Sequence, residues 1–245
     1  MSSLFDSVAA AAHLLVGFDP LLWSIVARSL WVSLLSTALA CAVGMVLGAW
    51  LGVARFAGRG AVLTVLNTLL ALPSVVVGLV VYLLLSRSGP LGHLGWLFSL
   101  KAMVLAQAVL VLPVVTALTR QLVEDAERNH GEQWRSLGAG TALRGGLLAW
   151  DERFALLTVV LTAFGRAVSE VGAVMVVGGN IEGFTRVMTT AIALETSKGD
   201  LPLALALGLV LLGVVLCLNV LISLLRRWRG QLDGGEGAWA SGGLA

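Results

Sequence analysis

Long apolar runs alternate with short polar segments along this chain of 245 residues. Five runs are long enough to cross a bilayer as helices, because a hydrocarbon core roughly 30 Å thick needs about 20 residues at about 1.5 Å of rise each. They cover residues 30–53, 62–85, 102–118, 154–177 and 201–225. The pattern therefore predicts an all-α integral membrane protein with about five transmembrane helices.

The segment before the first run, "FDSVAAAAHLLVGFDP" (5–20), is only moderately apolar and ends in Asp19 and Pro20. Its length and this break predict a short helix at the membrane interface rather than a sixth span. The predicted organisation is an outer or interfacial segment (1–28), a transmembrane domain (29–226) and a cytoplasmic tail (227–245).

Composition supports the membrane assignment. Hydrophobic residues make up 58% of the chain, charged residues 12%, and the mean hydropathy is +0.94, beyond the range of soluble domains. Both cysteines lie inside predicted spans and indicate no disulfide framework. The three histidines all lie outside the spans, which argues against an intramembrane enzyme.

Lysine and arginine placement predicts the orientation, because basic residues collect in cytoplasmic loops. With the N-terminus outside, the inner segments hold ten arginines: Arg55, Arg59, Arg120, Arg128, Arg135, Arg144, Arg153, Arg226, Arg227 and Arg229. The outer segments hold five basic residues: Arg28, Arg87, Lys101, Arg186 and Lys198. We therefore expect the N-terminus outside and the C-terminus in the cytoplasm. The net charge of +2 reflects this topology and does not indicate nucleic-acid binding.

Small and helix-breaking residues mark the first three spans. Gly44, Gly48 and Gly52 recur every four residues and predict a flat strip for close helix packing. Pro73 and Pro113 each remove a backbone donor. These prolines predict either packing kinks or positions that move or line a cavity.

Two charges interrupt the fourth span. Arg166 lies about 18 Å from Phe154 along a helix, near the middle of the bilayer, and Glu170 follows four residues later. A lone charge at that depth costs at least about 2.5 to 3.5 kcal/mol, so the pair is expected to point into the bundle or a dimer interface. Arg166 could lead an anion along a path, but pairing with Glu170 favours a structural or gating role.

The one long polar segment covers residues 120–153 and contains "GEQWRSLGAG" (131–140). This stretch predicts a short amphipathic helix with Trp134 and Leu137 on one face, ending at Gly138 and Gly140. The helix is displayed for a partner or rests on the lipid interface.

The segment 178–202 joins the last two spans on the predicted outer face. Thr185, Arg186, Thr189 and Thr190 could offer hydroxyls and one cation to an anion, but a helix that caps the bundle is the favoured interpretation. Gly199 is expected to end that helix, and Asp200 to cap the next one.

The long loop resembles a pattern found in permease subunits of bacterial ABC importers. Glu132 and Gly138 occupy its Glu and Gly positions, Gln133 and Trp134 replace its two alanines, and "LLAWDE" replaces its apolar-proline ending. The text "AFGRAVSEVGAVMVVGGNIEGFTRVMTTAIALETSKGD" (163–200) resembles the oxyanion branch of that family, with tungstate-type permeases first and molybdate-type ones nearby.

The resemblance implies a multi-pass protein of the bacterial cytoplasmic membrane that works as a homodimer. Its partners would be membrane lipid, cytoplasmic ABC ATPase subunits and an external substrate-binding protein, and its cargo tungstate, with molybdate or sulfate as alternatives. The chain has no Gly-x-x-x-x-Gly-Lys-Ser/Thr loop, so ATP and Mg²⁺ would be bound by the partner ATPase, and this chain would be neither an enzyme nor a cofactor binder.

The resemblance also implies two sets of site residues. Glu132, Trp134, Leu137 and Gly138 would couple the chain to the ATPase. The translocation path or gate would include Arg166, Glu170, Asn180, Thr185, Arg186 and Thr189. A secondary transporter or channel is a further alternative, although no doubled or inverted repeat supports it.

Overall fold

The computed structural model describes the backbone of residues 4–240, together with the side chains of 7–225 except His130, and of Arg227. The predicted segments 1–28 and 227–245 therefore extend beyond the described residues at both ends. Within the described part, the regular elements are ten α-helices and the 3₁₀ turn Gly92–Leu94. The helices are α1 Leu4–Val16, α2 Pro20–Val53, α3 Arg59–Leu70, α4 Ser74–Leu85, α5 Leu100–Ser136, α6 Thr141–Asp151, α7 Arg153–Val168, α8 Gly172–Gly178, α9 Met188–Lys198 and α10 Leu201–Ala240.

Three of these segments are long and apolar enough to cross a membrane alone: Pro20–Val53, Leu100–Asn129 and Leu201–Leu225. The remaining apolar runs form two bent pairs, α3 with α4 and α7 with α8. By length and composition, the described chain thus has up to five candidate membrane spans if each bent pair counts as one.

The predicted continuous helix over 154–177 is wrong, whereas the bend in 62–85 lies at Pro73, where a kink was one of the two predicted outcomes. The axes of α3 and α4 differ by 100°, because Pro73 supplies no backbone donor at the break. The axes of α7 and α8 differ by 57°, although no proline lies there. At this second break Ser169 Oγ donates to the Gly165 carbonyl at 2.8 Å, and such local bonds compete with the helix ladder.

The third span is longer than predicted. Helix α5 continues through Pro113 as far as Ser136, so residues 131–137 are its C-terminal end rather than a separate short helix. The predicted stop is confirmed, because Gly138 has φ +77° and α6 begins at Thr141. The short separate helix of this loop is therefore α6.

Asp19 separates α1 from α2 and caps the start of α2. Helix α1 has 13 residues, too few to span a bilayer, as predicted for this segment. Helix α2 begins at Pro20 rather than near residue 30, because Asp19 Oδ1 accepts from the Leu22 backbone N at 2.9 Å and proline suits the first helical position. Ala11 of α1 packs in one cluster with Leu22 and with Leu207 of α10.

Helices α2 and α5 form the centre of the fold, and their contact follows the glycine strip. A Cβ atom added to Gly44 would lie 2.9 Å from Val115, one on Gly48 2.7 Å from the Thr116 carbonyl oxygen, and one on Gly52 2.9 Å from Val123. The predicted close approach is confirmed.

The join between α9 and α10 is also confirmed. Gly199 has φ +83° and ends α9, and the Leu203 backbone N lies 3.4 Å from Asp200 Oδ1. The short helix α9 and the Asp200 cap of α10 therefore lie together at this end of the molecule.

We expect Gly48→Ala to destabilise the chain by about 1–3 kcal/mol, because its new methyl group would meet the α5 backbone. The matched control is Gly213→Ala in α10, where an added Cβ meets no atom within 4 Å of the described structure. Thermal unfolding of the purified chain in detergent should show a lower midpoint for Gly48→Ala only. Equal midpoints for both variants would contradict the packing role of the strip.

Candidate functional site

The breaks in the two bent pairs lie against each other. A Cβ atom on Gly172 would lie 2.6 Å from Ser74 Oγ, and one on Gly78 would lie 2.8 Å from the Ala173 Cα. We call residues 71–74 and 169–173 the joint. It places the first residue of α4 beside the start of α8.

Glu170 occupies the centre of the joint, with a side chain only 2% exposed. Its Oε2 lies 2.7 Å from Arg166 Nη1, and its Oε1 accepts from the Ala173 backbone N at 3.1 Å. The Ser74 hydroxyl lies near this carboxylate. One side chain therefore contacts the end of α7, the start of α8 and the start of α4.

Helix α9 joins the same centre through the backbone of Glu170. Thr189 Oγ1 donates to the Glu170 carbonyl oxygen at 2.7 Å. This carbonyl lies at the break after α7, where helical bonding stops, so the threonine satisfies an acceptor that water cannot reach cheaply.

The two members of the ion pair differ in exposure. The Glu170 side chain is enclosed, whereas 40% of the Arg166 side chain is exposed in the single chain. The predicted pair is confirmed, but its geometry differs from the prediction. Helix α7 ends at Val168, so Glu170 lies beyond the helix and turns back to Arg166 rather than sharing a helical stripe with it.

The predicted donors of the outer segment are buried and bonded within the chain. Thr185 Oγ1 donates to the Gly178 carbonyl at 2.6 Å, and Arg186 Nη1 lies 3.6 Å from Glu195 Oε1. Asn180 has φ +50°, and its Nδ2 donates to the Thr190 carbonyl at 3.2 Å. This arrangement agrees with a helix that caps the bundle. A role for Asn180, Thr185, Arg186 and Thr189 in a path or gate stays a prediction.

The contacts of three polar residues around this region, Gln107, Arg28 and Ser74, were not predicted from the sequence. Gln107 Nε2 donates to the Ala167 carbonyl at 2.9 Å and its Oε1 accepts from Ser36 at 3.0 Å, which joins α2, α5 and α7. Arg28 donates to the carbonyls of Arg186 and Gly183 at 2.9 and 3.0 Å. For Gln107 the sequence did carry a signal, a polar residue inside an apolar run. Nothing in the sequence singled out Ser74 or Arg28 for these contacts.

At the opposite end, buried carboxylates hold the long loop. Glu127, with a side chain 6% exposed, lies 3.2 Å from Arg135 Nη2 and 3.6 Å from Arg144 Nη2. Gly131 makes room for it, since a Cβ there would lie 2.6 Å from the Glu127 carboxylate carbon. Because Arg144 belongs to α6, this contact fixes α6 against α5.

The predicted coupling residues are not all displayed. Trp134 is half-buried against a core cluster that contains Val123 and Leu148, so it is less exposed than Leu137. Its coupling role stays a prediction. Leu137 is 77% exposed, and so are Leu143 (59%) and Trp150 (69%) of α6. Glu132 and Gly138 are exposed as well. We call Leu137, Leu143 and Trp150 the loop surface.

Among the described side chains, no group of three or more His, Cys, Asp or Glu could hold a metal ion. The arrangement offers a half-enclosed ion pair in a joint between helices, and exposed apolar side chains at Leu137, Leu143 and Trp150 of the long loop.

Comparison with known proteins identifies relatives over most of the chain. The chain matches no protein-family model. The tungstate uptake system permease protein TupB of Peptoclostridium acidaminophilum is 44% identical over 222 residues, which cover 91% of this chain and 97% of TupB. TupB of Campylobacter jejuni is 40% identical over 91% of this chain and 94% of its own length. A probable anion ABC transporter permease protein of Haloferax volcanii is 40% identical over 87% of this chain and 93% of its own length. The molybdenum transport permease ModB of Escherichia coli is more distant, at 32% over 201 residues.

For the joint, we expect Arg166→Gln to destabilise the chain by about 2 kcal/mol. This is below the roughly 3–5 kcal/mol of a fully buried pair, because Arg166 is partly exposed while Glu170 is left enclosed without its counter-charge. Glu170→Gln should also destabilise it, and the double variant should recover part of the loss. The measurement is the unfolding midpoint in detergent.

Arg87→Gln is the control for charge removal, because Arg87 is an exposed arginine outside the joint. It should unfold like the parent. An Arg166→Gln variant as stable as the parent, with no coupling to Glu170→Gln, would show that the pair does not hold the joint.

Proposed function

The chain belongs to the ABC transporter permeases, the family of the TupB tungstate uptake permeases, and from that premise we propose that it is the membrane subunit of an importer whose cargo is tungstate. The observation that carries the proposal is the similarity to TupB along nearly the whole of both chains. The molybdenum and sulfate permeases match less of the chain at lower identity, so molybdate and sulfate are the alternatives.

Transport by this chain needs partners. It is a multi-pass protein of the inner membrane. We propose that separate ATPase subunits bind ATP and Mg²⁺, because this chain has no phosphate-cradling glycine loop, and that an external binding protein delivers the oxyanion. The permease itself would bind no cofactor.

The charge distribution supports the proposed orientation. Arg55, Arg59, Arg120 and Arg128 gather around Glu124 at the end that carries the long loop. Arg28 and Arg186 are bonded at the other end. We propose that the arginine-rich end faces the cytoplasm.

Exposure of Arg166 supports a second copy. A side chain that is 40% exposed and lies at mid-span cannot face lipid without a large cost, so it should face a cavity or another subunit. In the same pair of bent spans, Val171 before α8 and Met175 of α8 are exposed, and so are Val75 and Leu79 of α4. We propose that two copies meet around this region and that the path runs between them.

The route from the ATPase to the joint follows one stretch of chain. The loop surface would contact the ATPase, with Leu137 and the exposed Glu132 and Gly138 from the predicted set. Helix α6 ends at Asp151 and α7 begins at Arg153, so a displacement of α6 acts directly on α7. Helix α7 in turn ends at the Arg166–Glu170 pair. We propose that this pair holds the two breaks together in one of two states and so acts as a gate.

Orientation and docking are tested together by cysteine labelling. With Cys41 and Cys217 replaced, Glu182→Cys should react with an impermeant maleimide in intact cells, since Glu182 is exposed on the outer loop. Leu137→Cys and Trp150→Cys should react only after permeabilisation, and their reaction should fall when the ATPase is bound. The matched control repeats the labelling of Leu137→Cys and Trp150→Cys after the ATPase has been removed from the membranes. Labelling of Leu137→Cys in intact cells would overturn the orientation; labelling from inside without protection would overturn the docking role.

Cargo and assembly are tested by reconstitution. The chain, purified with the ATPase and binding protein from the same genome and placed in proteoliposomes, should take up tungstate with ATP and resist competition by molybdate and sulfate. The complex should contain two copies of the chain by native mass spectrometry. Preferential molybdate uptake would favour the alternative cargo, uptake without the ATPase would indicate a secondary transporter, and one copy per complex would contradict the dimer.

A further inference from the structure

An apolar cleft of about 400 Å³ opens between α2, α3 and α5. Apart from Thr116, every side chain that lines it is apolar. Its walls include Val62 and Val65 of α3 and Val109 of α5, which are 41%, 59% and 44% exposed. The cleft therefore opens on the outside of this chain, at the level of the membrane spans.

One end of the cleft carries excess positive charge. Glu124 is contacted by Arg59 at 3.1 Å, by Arg120, by Arg128 at 3.4 Å and by Arg55 at 4.0 Å. Arg128 also lies 3.7 Å from Asp125. Four arginines against two carboxylates leave two positive charges in excess. The Arg55 and Arg128 side chains are 62% and 68% exposed, so part of this charge is open to a ligand.

The charged end and the cleft are continuous. Arg59 Nη2 donates to the carbonyl of Leu51 at 3.2 Å, and Leu51 lines the cleft. The neighbouring Trp50 also lines it and stacks on Phe56, with ring centroids 5.4 Å apart. Tryptophan at the boundary between an apolar surface and a basic cluster is typical of a membrane–water interface.

We propose that this cleft binds an anionic phospholipid, with an acyl chain between α2, α3 and α5 and the headgroup phosphate at Arg55 and Arg128. The apolar lining suits a hydrocarbon chain, and the uncompensated guanidinium groups suit a phosphodiester. A zwitterionic lipid could fill the same cleft but would gain less from the excess charge. The proposed orientation assigns the lipid to the cytoplasmic leaflet; the site itself does not depend on transport.

The test is native mass spectrometry of the full chain in detergent, titrated with dioleoyl-phosphatidylglycerol or dioleoyl-phosphatidylcholine. The chain should retain the anionic phosphatidylglycerol in preference to the zwitterionic phosphatidylcholine. Arg55→Gln should weaken its retention about fivefold, the effect of one basic residue near a lipid phosphate, while leaving Glu124 with its nearer partners. Val65→Trp should block the cleft and abolish the preference; Leu69→Trp tests the same wall if Val65→Trp lowers the unfolding midpoint.

Two controls match these changes. Arg87→Gln removes an exposed arginine elsewhere, and Leu212→Trp enlarges a 65% exposed residue of α10 that does not line the cleft. Both should bind like the parent. Equal retention of the two lipids by the parent chain, or unchanged preference in the tryptophan variants, would overturn the proposal. Disulfide formation between two copies carrying Val65→Cys would assign the cleft to a second copy and overturn it as well.

Discussion

A carboxylate enclosed among apolar helices must find all its hydrogen-bond partners within the protein, and Glu170 finds them on both bent spans. Arg166 supplies the opposite charge and Ala173 a backbone donor, the Ser74 hydroxyl lies nearby, and Thr189 satisfies the carbonyl of the same residue. The breaks in α3–α4 and α7–α8 are tolerable because they lie against each other and share this one side chain. Neither break could be moved alone without leaving a polar group unpaired.

The rigid part of the molecule lies beside this joint. Helices α2 and α5 pack so closely that the glycines of α2 have no room for a methyl group, and Gln107 ties α5 to the end of α7. A continuous pair of helices thus stands next to two interrupted ones. Motion imposed through α6 would be resisted by α2 and α5 and taken up at the joint, where helical bonding already stops. This division fits the proposed gate.

Much of this architecture was predictable from local sequence, and the errors lie where tertiary contacts decide. Hydropathy and length located the five apolar runs, and spacing predicted the glycine contact and the stops at Gly138 and Gly199. Hydropathy does not register where backbone hydrogen bonding stops, so it treated 154–177 as a single helix, whereas Pro73 marked the bend in 62–85. The break after Val168 depends on Ser169 and on Glu170 reaching Ala173, a tertiary arrangement. The burial of Trp134 was not predictable, because a large aromatic residue near charges suits a displayed face and a core contact equally well, and its contact with the cluster that contains Leu148 depends on where α6 packs.

The carboxylate centres at Glu124 and Glu170 are balanced differently, and the difference bears on how an oxyanion passes. Glu124 is outnumbered by arginines and leaves positive charge open at the end of the molecule. Glu170 and Arg166 neutralise each other. An arginine free at mid-membrane would bind a dianion strongly and hold it, whereas conduction requires binding weak enough for release. A neutral joint therefore suits a path better than a charged one. It also explains why, in the proposed importer, selection between tungstate and similar oxyanions would rest with the external binding protein rather than with Arg166.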